Sequence, residues 1–158
     1  MLDFKRTTVV VFVIFILGHW VGCAQVNWMS FEQLDDSLSV KPKKVFIDFY
    51  ADWCSYCAKM DRVVYRDPAV IAELNANYYS VKMNAEYEKQ IEFGGQIFTN
   101  KQLKNNRNPI HEIALVLGSR PEREFSLPLV IILDEKFNIV ERYFEYLSPK
   151  KMKAILKI

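Results

Sequence analysis

The chain has 158 residues, 51% hydrophobic and 25% charged, which is enough for one domain with a sizeable core and too short for two ordinary ones. That balance disfavours both disorder and a multi-span membrane protein. The 21 basic and 19 acidic side chains leave a net charge of +2, too even for a nucleic-acid-binding surface, so nucleic acid is not an expected partner.

Lys5 and Arg6 precede an apolar run from Val9 to Leu17, the shape of a secretory signal. Gly22 and Ala24 stand at the minus-three and minus-one places for cleavage after Ala24, so residues 1–24 read as a signal peptide and residues 25–158 as the mature domain. Gly22 before Cys23 also suits lipid attachment at Cys23, but Trp20 occupies the place where such sites carry an aliphatic residue. An uncleaved anchor is a third option, weakened by Gly18 and His19, which interrupt a stretch already short for a bilayer span. Cleavage and an exported, periplasmic protein are the preferred expectation. Removal of Cys23 leaves Cys54 and Cys57, a pair that can be oxidised where glutathione buffering is weak.

Along the mature chain, Ser30 with Gln33 forms a capping-box pattern ahead of a short helix over Phe31 to Leu38. Val45 to Tyr50 is an apolar and aromatic run with one acid, Asp48, inside it, the pattern of a buried central strand. Ser55 to Tyr65 reads as helix, and Asp67 with Pro68 caps another that runs to about Asn75. Tyr78 to Met83 is the next strand. Alternation around Gly94-Gly95, from Ile91 to Phe98, predicts a small hairpin. Asn108 and Pro109 are expected to open a helix carrying Ile113, Ala114 and Leu117 and stopping at Gly118. Leu129 to Leu133 and Ile139 to Phe144 flank a turn over Asp134 to Asn138, and Ser148-Pro149 caps a terminal helix. This order implies an α/β fold, a mixed sheet covered by helices on both faces.

The run from Asp48 to Cys57 places a Cys-x-x-Cys pair at the end of a buried strand and the start of a helix. Unpaired backbone N–H groups and the macrodipole at a helix N-terminus favour an anion, so Cys54 is the expected attacking thiolate. Cys57, one turn inward and more buried, is the expected resolving thiol. A structural bridge, half of a zinc site and two inert core cysteines remain alternatives. Zinc lacks ligands, since the mature chain adds only His111, itself read as structural or surface; no metal and no cofactor are expected. A bridge over two residues closes a tiny loop and constrains the unfolded chain little. Asp48 is either a proton acceptor or a satisfied strand-end acid, and Trp53 either a lid over the sulfurs or plain core.

With its Trp-Cys-x-x-Cys after an aromatic strand, the segment resembles the active site of the thioredoxin superfamily, and the likeness extends over nearly the whole mature chain. Exported bacterial members and the periplasmic C-terminal domain of membrane disulfide reductases are the most similar in pattern. The resemblance implies that Asp48 takes up the proton of the resolving thiol and that Lys82, otherwise a solvated edge lysine, is its partner. It implies that Leu127-Pro128 contains a cis-proline packed over the disulfide, with Leu127 offering backbone groups to an extended substrate. It also makes residues 85–124, a hairpin plus a helix before that proline, an insert. Ser55 and Tyr56 between the cysteines depart from the Gly-Pro of thioredoxins and the Pro-His of strong oxidants; without an imidazolium there, a reductant or shuttle is expected more than an oxidant. The expected partners are protein disulfides and a membrane electron donor, with the chain acting as a monomer. An oxidase or isomerase, and a non-catalytic binding module carried by the insert, are the competing readings.

Overall fold

The computed structural model describes residues 25–158; the expected signal peptide and Cys23 lie outside them. The elements in chain order are β1 Trp28–Met29, α1 Phe31–Val40, β2 Lys44–Tyr50, α2 Ser55–Val63, α3 Pro68–Asn77 and β3 Tyr78–Asn84. They continue with β4 Ile91–Phe93, β5 Gln96–Phe98, α4 Glu112–Leu117, β6 Leu129–Leu133, β7 Ile139–Tyr143 and α5 Pro149–Leu156.

Five strands form one sheet in the order β1-β3-β2-β6-β7, parallel across β1, β3 and β2 and antiparallel from β2 through β6 to β7. β2 is central and covered on both faces, which is why Val45 to Phe49 are all buried and why a near-continuous apolar run was its sequence signature. Its side chains alternate between two cores. Phe46 faces Met60 and Val64 of the α2 segment, Val70 and Leu74 of α3, and Met152 and Leu156 of α5. Val45, Ile47 and Phe49 face Phe31 and Leu34 of α1 and Ile113 and Ala114 of α4. The mixed sheet with helices on both faces is therefore the architecture that the sequence implies.

The helix starts follow the expected caps. Ser30 and Gln33 complete the reciprocal capping box at α1, Asp67 accepts from the Ala69 and Val70 N–H groups with Pro68 at the first turn of α3, and Ser148 accepts from Lys151 N–H at α5. Gly94 and Gly95 have φ of +60° and +70° between the paired residues Phe93 and Gln96, the left-handed conformations that a two-residue hairpin turn requires. Gly118 ends α4 for a different reason: a Cβ there would lie 2.6 Å from Leu129 Cδ2 and 2.8 Å from the Ala114 carbonyl oxygen.

Three readings need correction. β1 was not expected, because two residues carry no period; Trp28 earns its place by packing edge-on to Tyr65 at 5.0 Å and next to Phe46 at 6.3 Å. α2 stops at Val63 and not Tyr65, where the Tyr65 N–H bonds back to the Met60 carbonyl. α4 begins at Glu112, not at Asn108-Pro109. The Pro109 carbonyl is taken by Asn100 Nδ2 at 2.8 Å, and the His111 N–H donates to the Ala85 carbonyl, so the chain turns helical only after His111.

His111 is fully buried and caps α4 through its ring: Nδ1 accepts from the Ile113 N–H at 3.2 Å, which leaves the proton on Nε2 to donate to the Lys89 carbonyl at 3.2 Å. Burial holds its pKa below the usual histidine value, partly offset by the Lys89 carbonyl. A histidine held neutral in the fold stabilises above its ordinary pKa of about 6.5, and that contribution is lost as pH falls. The protection of α4 and the β4-β5 hairpin against hydrogen exchange, taken relative to the intrinsic rate at each pH, is expected to fall as pH drops from 7 towards 5, and His111→Ala should destabilise by about 2 kcal/mol at neutral pH through the lost cap and the cavity. An exchange rate there that follows only the intrinsic chemistry would remove the neutral-cap account.

Candidate redox site

Strand β2 ends at Tyr50, a short turn carries Ala51 to Trp53, and Cys54 then caps α2. The Cys54 N–H donates to the Ala51 carbonyl at 2.9 Å, closing the turn, and the Cys57 N–H donates to Cys54 Sγ at 3.2 Å. Cys54 and Cys57 are joined in a disulfide with an S–S distance of 2.02 Å. Cys54 thus occupies the position where backbone N–H groups of the first turn stabilise a negative sulfur. The expected contrast in burial is slight, since the two residues are 5% and 3% exposed; what distinguishes them is that one is the cap and the other lies inside the helix.

In the strand that leads to the pair, the parallel register sets Asp48 of β2 directly beside Lys82 of β3. Asp48 is 2% exposed, and its Oδ2 is 3.9 Å from Lys82 Nζ. Its Oδ1 makes no hydrogen bond among the described residues, although the Tyr65 hydroxyl approaches it. The Asp48 pKa is raised to about 7: loss of water pushes it up, the Lys82 ammonium and the Tyr65 hydroxyl pull it part of the way back, and the carboxylate of Asp61 adds a smaller upward push. Asp48 and Lys82 are thus neighbours, and Lys82 has further contacts. Its ammonium also contacts Asp61 of α2 and sits 5.0 to 5.7 Å from the ring centroids of Tyr50, Trp28 and Tyr65. Asp61 went unread; it follows Cys57 by four residues on one helix, and that i, i+4 spacing was the available signal.

The mouth of the site is aromatic. Leu127 and Tyr50 pack on Ala51 and the two cysteines, and the Leu127-Pro128 peptide is cis. Trp53 is 57% exposed, so it is not core; its indole N–H donates to Glu86 Oε1 at 2.8 Å. Tyr56 points outward and packs at 5.9 Å against Tyr146, over which Lys59 lies at 4.6 Å. Glu86 and Tyr146 belong to loops far away in sequence, and no local pattern marks them. Among the described residues no group of three or more His, Cys, Asp or Glu is placed to hold a metal ion, and no helix is long and apolar enough to cross a membrane.

The Asp48 carboxyl ionises at about 7 in the fold and near 3.8 in water, so between these values the folded chain keeps a proton that the unfolded chain has lost. Its stabilisation is complete below the lower value and disappears as pH rises through the upper one. Asp48→Asn is expected to raise stability to urea at pH 8 by roughly 2–4 kcal/mol and to change it little at pH 4. Equal effects at the two pH values would contradict the burial of an ionising carboxyl.

A family model described as "Thioredoxin-like domain" matches residues 31–157. Among curated proteins, the thiol:disulfide interchange protein DsbD of Photorhabdus laumondii is 34% identical over 77 residues, covering 46% of this chain and 13% of that protein. DsbD of Campylobacter jejuni is 31% identical over 55 residues, covering 35% of this chain and 10% of its own length. The matched stretches are thus a small part of these relatives. Among solved structures, a thioredoxin from Thermus thermophilus superposes with a TM-score of 0.59 at 19% identity, over 84% of this chain and 85% of the other. The oxidised C-terminal domain of DsbD from Neisseria meningitidis gives 0.51 at 19%, over 80% and 89%. With the five-stranded mixed sheet, the cysteine pair at a helix start and a family match over residues 31–157, the chain has a thioredoxin fold and belongs to the thioredoxin-like domain family.

Proposed function

We propose that the chain is a thiol-disulfide oxidoreductase that passes two electrons from the Cys54-Cys57 dithiol to protein disulfides of the cell envelope and is re-reduced by a membrane partner. The observation that carries this reading is the combination of a disulfide at the start of α2 with a carboxyl, Asp48, buried in the strand that leads to it and ionising at about 7. In the reduced form, the Cys54 thiolate attacks one sulfur of the client disulfide and the other client sulfur leaves as a thiolate and is protonated. Cys57 then gives up its proton, for which Asp48 is the acceptor, and attacks Cys54 Sγ. The Cys54-Cys57 bond forms, the second client thiol leaves, and the dithiol has lost the two electrons the client gained. An acceptor titrating near 7 is about half ionised at neutral pH, and its pKa is close enough to the ordinary thiol value of about 8.5 for proton transfer. Lys82 joins Asp48 to the half-exposed Asp61, and so connects this buried proton to the surface.

Support for a reductive direction comes from the dipeptide. Ser55 and Tyr56 supply no imidazolium, and Tyr56 turns away to Tyr146, so thiolate stabilisation rests on the helix start alone. Support for the envelope comes from Lys5, Arg6 and the apolar run Val9 to Leu17. Leu127, packed on the cysteines ahead of Pro128, is the edge along which a client would lie.

Cys54→Ser is expected to abolish insulin reduction, and Cys57→Ser to stall as a mixed disulfide visible by mass; wild-type turnover in the first variant would refute the mechanism. Glutathione titration should place the potential nearer the ~−270 mV of thioredoxin than the ~−120 mV of a strong oxidant, and the opposite result would make the chain an oxidase. The resolving rate should rise through pH 7 with Asp48 present and shift towards the thiol value of about 8.5 in Asp48→Asn.

A further inference from the structure

Against Trp53 lies a groove of about 600 Å³ whose other wall is Asn105, Asn106, Arg107 and Asn108. Trp53 immediately precedes Cys54, so one wall of this groove is the residue next to the redox pair in the chain. Its far wall is a loop from the segment that the sequence read as an insert.

The loop is fixed in place from beneath. Asn100, 6% exposed, donates to the Tyr87 and Pro109 carbonyls at 3.1 and 2.8 Å, and its Oδ1 accepts from the Gln102 N–H at 3.1 Å. Gln102 Oε1 in turn accepts from Asn106 Nδ2 at 2.8 Å and from the Ile110 N–H at 3.0 Å. Trp53 is held by its bond to Glu86, which satisfies the indole N–H and leaves the ring face open. A groove held on both sides does not lose affinity to the ordering of its walls.

Its chemistry is one-sided. From Thr99 to His111 the chain carries Lys101, Lys104 and Arg107 and no acid. Lys101 is neutralised by Glu112, which leaves Lys104 and Arg107 without an ion-pair partner among the described residues. Glu86 stands on the Trp53 side and is engaged by the indole N–H. The carboxamides of Asn105 and Asn108 match the N–H and C=O groups of an extended polypeptide, and the Arg107 guanidinium matches a carboxylate.

Resting on the reading that the Cys54-Cys57 pair reduces protein disulfides, we propose that this groove selects clients: it holds the polypeptide flanking the client cysteine and favours segments with a Glu or Asp a few residues from it. Arg107 meets the carboxylate, Trp53 covers the backbone, and the loop 105–108 sets specificity without touching the sulfurs.

The test uses the oxidised full-length chain and labelled peptides in which the client cysteine is Ser, so that binding is read without turnover. Peptides with Glu flanking that Ser are expected to bind about fivefold or more tightly than the same peptides with Lys, with the excess shrinking in salt. Arg107→Ala should bring that ratio close to one and Arg107→Glu should invert it, whereas Lys136→Glu, the same change of charge at the β6-β7 turn, should preserve it. Equal binding of the two peptides, or a ratio indifferent to Arg107 or equally sensitive to Lys136, would overturn the proposal. Turnover of the neutral hydroxyethyl disulfide is measured beside it: its loss in the wild type with the peptide preference intact would sink the oxidoreductase reading and leave the groove standing.

Discussion

A carboxyl cannot ordinarily sit in the central strand of a five-stranded sheet, and the structure is arranged around the fact that one does. Asp48 is flanked in β2 by residues fully withdrawn from water, and an unpaired charge there would cost several kcal/mol. Parallel pairing of β2 with β3 sets Lys82 directly alongside, and the three rings of Trp28, Tyr50 and Tyr65 enclose the ammonium without quenching it. At 3.9 Å, the pair is close enough to moderate the carboxyl but not to clamp it as a permanent anion, and the pKa of about 7 is the result. A one-residue slip of β3 would exchange Lys82 for an apolar neighbour and turn the ammonium towards the other core. β1, only two residues long, matters for the same reason, since it delivers Trp28 to that cage.

The same strand ends organise the segment after β3. The Ala85 N–H donates to the Tyr50 carbonyl, the His111 N–H donates to the Ala85 carbonyl, and the Glu112 carboxylate accepts from the Thr99 N–H and hydroxyl. Bond by bond, the chain from 85 to 112 is tied to the end of the sheet from which the cysteine turn emerges. Glu86 is thereby placed to hold Trp53, and the Asn-rich loop to face it. The segment that departs most from a plain thioredoxin pattern is thus part of the rim of the redox site.

What could be read from sequence is what depends on neighbours in sequence. The cysteine pair, the caps at Ser30, Asp67 and Ser148, the Gly94-Gly95 hairpin and the aliphatic strand β6 each carry their own signal within a few residues. Asp48 was legible as an acid out of place in an apolar run. Trp53 meeting Glu86, and Tyr56 meeting Tyr146, are contacts between loops, set by how the sheet brings its ends together, and no period or motif encodes them. The start of α4 misled because Asn108-Pro109 is a good local helix opening; Asn100 and Ala85, both distant, claim the backbone there first, and a buried histidine caps the helix instead. Local propensity was overridden by hydrogen bonds across the fold, and the overriding residues lie in the segment that forms the groove.

Two buried titratable groups also divide the molecule by pH. Asp48 stabilises the sheet most when protonated, so its contribution falls as pH rises towards 7. His111 stabilises α4 and its hairpin only when neutral, so its contribution falls as pH drops below about 6.5. Over the mildly acidic range the two trends oppose each other, and global stability changes less than either group would impose alone. The effects are nevertheless separate in space: acid firms the central strands while loosening the segment that carries Glu86 and the 105–108 loop. Trp53 takes its anchor from that segment, so mild acid reaches the rim of the redox site through His111 while the strands on which the cysteines stand are firmed by the protonation of Asp48.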